Sequence, residues 1–180
     1  MLLLKQALQR WQLHRRLERR LPDVSHAQRI LVLCTANRVR SPFAAHWLQR
    51  RVPHGVKVIS RGVLDGGAPC PGEAVEAAAE YGLDLSYHLA RPVEPKELLR
   101  ADLVLTMEVR MAHELAVLYP AIERAIVPLG YFDTTGRMDD IADPYQLSTA
   151  DYGKAYAIIA RCCGGLVHNM TASPAMAAAR

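Results

Sequence analysis

The sequence predicts an α/β fold built on a parallel sheet with helices on both faces. Short apolar runs, such as residues 29–33, alternate along the chain with longer segments of helical periodicity. These runs lack the in–out alternation of a half-exposed strand, so they suit strands covered on both sides. With 180 residues, 51% of them hydrophobic, the chain can close one core without disulfide or metal staples.

Taken in order, residues 3–20 hold no Gly or Pro and set Leu4, Leu8 and Trp11 at helical spacing. Pro22 ends that segment, and residues 23–28 read as a linker. Residues 29–33 form the first strand, with Cys34 at its end. Ser41 as N-cap and Pro42 at the first helical position open a helix to about residue 51. Residues 56–60 give a second strand. A turn-rich loop over 62–72 leads into an Ala-rich helix to about 81. Residues 102–107 are a third strand, 108–118 a helix and 124–128 a short fourth strand. A loop with Asp139, Asp140, Asp143 and Pro144 precedes a last helix over about 148–167. The expected organisation is a basic helical extension (1–24), one domain (25–168) and a flexible tail (169–180). No internal repeat is present.

Charge is unevenly spread. Residues 1–23 carry six Lys and Arg against two acidic residues, and the rest balances at sixteen of each. The basic character therefore belongs to the extension, which argues against a general nucleic-acid-binding body. Residues 1–22 suit peripheral membrane contact or protein docking, against the simpler expectation of a solvated basic arm. No apolar run is long enough to span a bilayer, and the N-terminus lacks the order of a secretory signal. The four cysteines, Cys34, Cys70, Cys162 and Cys163, form no zinc or disulfide pattern, so a reducing cytoplasm is expected.

The chemistry gathers in LVLCTANRVRSPF, residues 31–43. A short loop between a buried strand and a helix can turn several N–H groups inward as an anion nest, reinforced by the helix dipole. Thr35, Ala36, Asn37, Arg38 and Val39 form that loop. Arg40 adds a planar cation that matches two phosphate oxygens, and Ser41 can donate to the thiol. A cysteine in such a positive field is favoured as the thiolate, so Cys34 is placed for attack on phosphorus. A bare C-x5-R is common by chance, and a structural Cys34 with a salt-bridged Arg40 is the plain alternative. Its place between strand and helix strengthens the chemical reading. Asp143, held extended before Pro144, is a candidate general acid, against an ordinary Asp-Pro turn. Asp139, Asp140 and Asp143 as a magnesium cluster ranks lower, because Arg40 and a thiolate make a metal redundant. No metal or cofactor is expected.

With these residues in place, the chain resembles the low-molecular-weight protein tyrosine phosphatases. That family carries C-x5-R-S-P near its N-terminus and D-P-Y late; here stand Cys34, Arg40-Ser41-Pro42 and Asp143-Pro144-Tyr145. GLDLSYHLAR (82–91), ADLVLTM (101–107) and the Pro128–Phe132 stretch resemble further family segments, collinearly from about residue 29 to 168. The resemblance implies a flavodoxin-like, doubly wound four-stranded parallel sheet. It also implies metal-free hydrolysis of protein phosphotyrosine through a phosphocysteine. It assigns Cys34 as nucleophile, Arg40 and the loop amides as phosphate holders, and Asp143 as acid and then base. Asn37, Ser41, Ser60 and His88 would brace the loop, although a buried histidine is more often simply structural. Arg38 and Tyr145 would line the substrate cleft. A bacterial tyrosine kinase of polysaccharide export is the partner it suggests.

Departures from the family loop are Ala36 for Gly, Arg38 for an apolar residue and Val39 for a second Cys, with Arg61 for Ala further on. Ala36 is expected to strain a backbone that prefers glycine. Val39 removes a disulfide partner for the nucleophile. Two rivals remain. An arsenate reductase of the same fold needs relay cysteines in a mobile mid-domain segment, where this chain has none. A non-catalytic phosphate-binding or docking protein would not need Cys34, Arg40 and Asp143 intact.

Overall fold

A computed structural model describes residues 22–64, 66–136 and 140–172. The expected helix over 3–20 falls outside them. Four strands form one parallel sheet in the order β2-β1-β3-β4: β1 (Arg29–Cys34), β2 (Lys57–Gly62), β3 (Leu103–Thr106) and β4 (Ile126–Pro128). This is the expected doubly wound α/β arrangement. β1 and β3 are the central strands. β3 and β4 are buried throughout, and β1 is exposed only at Arg29. The edge strand β2 alternates partly buried and exposed residues.

Five α-helices complete the described chain: α1 (Arg40–Gln49), α2 (Gly72–Ala79), α3 (Pro95–Arg100), α4 (Val109–Leu118) and α5 (Thr149–Thr171). The β1–α1–β2 unit runs one way along the sheet, and the β2-to-β3 and β3–α4–β4 connections run the other. Right-handed crossovers then place helices on opposite faces. α5 packs on α1 and α2, and Tyr156 of α5 stacks on Phe43 of α1 with centroids 3.9 Å apart. Because the winding reverses at β1, the crevice at its C-terminal end, beside β3, is the natural ligand site.

The element bounds correct several expectations. α1 begins at Arg40 with Val39 as N-cap and no side-chain cap bond, so Ser41 is not the cap; its hydroxyl turns to Cys34 instead. β2 continues past the expected end to Gly62, in register with Cys34 of β1, with Arg61 paired to Glu97. The short α3 gives too few residues for periodicity, but Glu94 and Glu97 form a capping box around Pro95. α5 extends to Thr171, with Met170 in the core, so residues 169–171 are helix rather than tail. Val24, at 5% exposure, packs with the core just before the expected domain start. Residues 173–180 lie outside the described residues.

Candidate active site

The loop after β1 is shaped by close backbone contact. A Cβ at Gly62 would lie 3.0 Å from backbone atoms of Thr35, Ala36 and Asn37, so the missing side chain lets β2 approach the loop. Val63 and Leu64 donate backbone N–H groups to the Thr35 carbonyl, at 3.0 Å each. Asn37, not Ala36, carries the left-handed backbone, with φ of +52°. Asparagine tolerates that region better than most residues. The expected strain at Ala36 is therefore absent.

Asn37 is buried and braced on every side. Its Nδ2 donates to Ser41 Oγ at 2.9 Å, and its Oδ1 accepts the Arg91 N–H at 3.0 Å. His88 Nε2 lies 2.9 Å from the Asn37 carbonyl oxygen, which places the ring proton on Nε2. Burial pushes the His88 pKa down, against the raising effect of that bond, and the nearby His46, Arg61 and Arg91 charges push the same way as burial. The imidazole is thus held neutral. Ser60 is buried on β2, but its side chain makes no bond to the loop; Ser41 Oγ lies 3.3 Å from the carbonyl of Arg61.

Cys34, at the end of the central strand, is 2% exposed. Its Sγ accepts the Asn37 backbone N–H at 3.2 Å and lies 3.0 Å from Ser41 Oγ. With Asn37 Nδ2 donating to that oxygen, the serine proton is left for the sulfur or for Arg61 O. The sulfur therefore sits under inward N–H and O–H donors at the start of α1, as a nucleophile facing an anion requires.

Arg40 joins the two halves of the site. Its guanidinium, 1% exposed, donates from Nη1 to Glu108 Oε1 and the Ile141 carbonyl, both at 2.9 Å. Nη2 donates to Asp143 Oδ2 at 2.6 Å and to Thr35 Oγ1 at 3.4 Å. Its Nε is buried without a partner among the described residues. A buried cationic N–H left so is costly, and an oxyanion above the loop would supply the acceptor. Asp143 also accepts the Tyr145 N–H at 3.2 Å and keeps 38% of its side chain exposed.

Cys34, Arg40, Ser41 and Asn37 thus meet as the sequence suggests, with Asp143 brought in from 103 residues away. Glu108 was missed. The signal lay in its position, just beyond β3 at the crevice where the sheet reverses. Asp139 lies outside the described residues; of the other late-loop aspartates, Asp140 caps α4 through the Val109 N–H at 2.7 Å and Asp143 meets Arg40. Arg38 and Tyr145 lie together, with Arg38 Nη1 3.0 Å from the tyrosine hydroxyl. The other cysteines are buried. Burial pushes Cys70 up to about 12, opposed by the Arg38 charge, raises Cys162 to about 12, and raises Cys163 well above its ordinary value. Cys162 and Cys163 lie inside α5, which does not suit an exposed disulfide relay.

A sequence profile of the low molecular weight phosphotyrosine protein phosphatases matches residues 29–175. The chain belongs to that family. As a member, this phosphatase is a phosphoric monoester hydrolase. It is 36% identical over 133 residues to a probable low molecular weight protein-tyrosine-phosphatase EpsP of Ralstonia nicotianae, covering 73% of this chain and 88% of the relative. It is 35% identical over 134 residues to the protein-tyrosine-phosphatase Wzb of Escherichia coli, with the same coverage. Among solved structures, Vibrio vulnificus Wzb in complex with benzylphosphonate matches with a TM-score of 0.69 and 28% identity, covering 77% of this phosphatase and 95% of that chain. The YwlE arginine phosphatase of Geobacillus stearothermophilus matches with a TM-score of 0.72 and 27% identity, covering 78% and 91%. The family fold therefore serves enzymes named for two different phosphoryl substrates.

Proposed function

We propose that this phosphatase hydrolyses phosphotyrosine on proteins in two steps without a metal. The carrying observation is the Arg40 fork, buried between the Cys34 loop and Asp143 with one N–H unpaired. The phosphoryl group sits in the cradle of loop 35–39, Arg40 and Ser41. Cys34 Sγ attacks phosphorus as the tyrosyl P–O bond breaks, and Asp143 in its acid form delivers the proton to the leaving phenolate. Water then attacks the phosphocysteine. Asp143 takes the water proton, releasing phosphate and the Cys34 thiolate. Tyr145, 43% exposed, offers an aromatic wall to the phenyl ring. Asn37, Ser41 and His88 hold the loop in place.

The curated relatives named above as tyrosine phosphatases support the tyrosyl substrate, and so does the cation of Arg38, adverse to a phosphoarginine guanidinium. Their names also favour a phosphotyrosine protein as partner, and a bacterial tyrosine kinase fits that description. A cytoplasmic location follows from such a partner; among the described residues no helix is long and apolar enough to cross a membrane.

The test compares phosphotyrosine and phosphoarginine peptides with EDTA present. Turnover of the first by the wild type is expected. Cys34→Ser should lose turnover and keep measurable vanadate binding. Normal turnover by Cys34→Ser would exclude the mechanism, and preference for phosphoarginine would exclude the substrate.

A further inference from the structure

Two contacts cross the crevice side by side. Arg40 meets Asp143 deep in the site. Two residues earlier on one loop and two later on the other, Arg38 meets Tyr145 at the rim. Arg38 Nη1 donates to the Tyr145 hydroxyl at 3.0 Å, and the guanidinium carbon lies 5.1 Å from that ring's centroid. From the other rim, the Pro69 carbonyl accepts Arg38 Nε at 2.9 Å. One side chain therefore ties three loops around the crevice mouth.

Both partners of Arg38 are neutral. Arg29, Arg40, Arg61 and Arg161 each meet a carboxylate. Among the described residues Arg38 meets no carboxylate and its Nη2 has no hydrogen-bond partner, and the side chain is part-exposed. The charge is felt locally, since it opposes the effect of burial on Cys70. A guanidinium already fixed at two points gives up little freedom when it meets a further carboxylate.

We infer that Arg38 is a specificity-determining residue that selects acidic residues flanking the phosphorylated tyrosine. The inference rests on the phosphotyrosine reading above. A side chain entering toward Cys34 passes the Arg38–Tyr145 rim, so the residues beside it face the free Nη2 edge. A glutamate there gains a charge-assisted bond, and a glutamine gains much less. Rim charges of this kind set selection and its salt dependence more than the chemical step.

The experiment measures kcat/KM on equal-length phosphotyrosine peptides with Glu or Gln flanks, at low and high salt. Wild type should favour the Glu peptide about fivefold at low salt, fading as salt rises. Arg38→Gln should bring the ratio to about one, and Arg38→Lys should keep part of it. Lys57→Gln, at the opposite end of the sheet, changes net charge equally and should keep the wild-type ratio. No wild-type preference, an unchanged ratio in Arg38→Gln, or an equal fall in Lys57→Gln would overturn the inference. Dissociation constants for the same peptides on Cys34→Ser, with and without Arg38→Gln, separate the two claims. Wild type without turnover, but with a binding preference that Arg38→Gln erases, would overturn the reaction and uphold the role of Arg38. Turnover without preference would overturn only the role of Arg38.

Discussion

Asn37 spends all of its polar atoms on holding the loop. Its amide N–H faces Cys34, its side chain bridges Ser41 and Arg91, and its carbonyl meets His88. Asn37→Ala keeps the left-handed backbone but loses both side-chain bonds, so a destabilisation of about 2 kcal/mol is expected, measured by urea unfolding. Phosphate affinity should fall with it, and stability and affinity both at wild-type level would show the brace to be dispensable. Asp143→Asn separates chemistry from structure. Loss of a general acid costs roughly 10²–10⁴-fold, and a good leaving group needs less help. Steady-state rates across a series of aryl phosphates should therefore fall most where the phenol is least acidic, and equal losses would remove Asp143 from the role. Cys34, Arg40 and Asp143 were legible because each carries its own local mark: a strand end, a helix start, an Asp-Pro step. The Ile141 carbonyl and Pro69 carry none, and Glu108 is marked only by its place after β3. They matter only through the residue that folding brings to them.

At the level of elements, α5 is the piece whose fit is least forgiving. A Cβ at Gly165 would overlap the Phe132 carbonyl oxygen, so helix and turn touch backbone to side-chain position. The same turn is pinned by Arg161, whose Nε and Nη2 grip the two Asp133 oxygens at 2.8 and 2.7 Å. Gly165→Ala raises helix propensity yet should destabilise by about 1–3 kcal/mol through overpacking. Thermal unfolding reads this directly, and an unchanged or higher Tm would show that the turn moves aside freely. The order of strands and long helices was readable from alternation and period. Their ends were not, because they depend on partners that only folding supplies: Arg61, past the expected end of β2, meets Glu97, and Cys34 takes the Ser41 hydroxyl that a cap would have used. The expected last helix already ran through the glycine pair at 164 and 165; what the sequence did not show is that Gly165 lies against the Phe132 carbonyl.

The molecule as a whole should lose stability in two stages as pH falls. Burial lowers the His88 pKa from its ordinary 6.5, so the unfolded chain binds that proton more readily than the folded one. Its contribution is complete above about pH 6.5 and is lost as the pH drops through the lowered value. Glu97 and Asp133 are also held below their ordinary values of 4.5 and 3.8. At Glu97 burial pulls upward but the Arg61 fork outweighs it, and at Asp133 the Arg161 bonds dominate. Their contributions persist until more acidic pH and then disappear. Unfolding free energy measured from pH 7.5 to 3 should decline in both ranges, and a flat profile from 7.5 to 5.5 would mean that His88 protonates freely in place. Sequence distance within the site has a separate consequence, for timing. Cys34 and Ser41 are 7 residues apart, whereas Arg40 and Asp143 are 103 apart, with α5 still to follow before the core closes over α1 and α2. In the proposed mechanism, a chain emerging from the ribosome therefore completes the loop meant to hold the phosphate long before it has Asp143, the proposed proton donor. Synthesis itself would keep the enzyme silent until its last helix is in place.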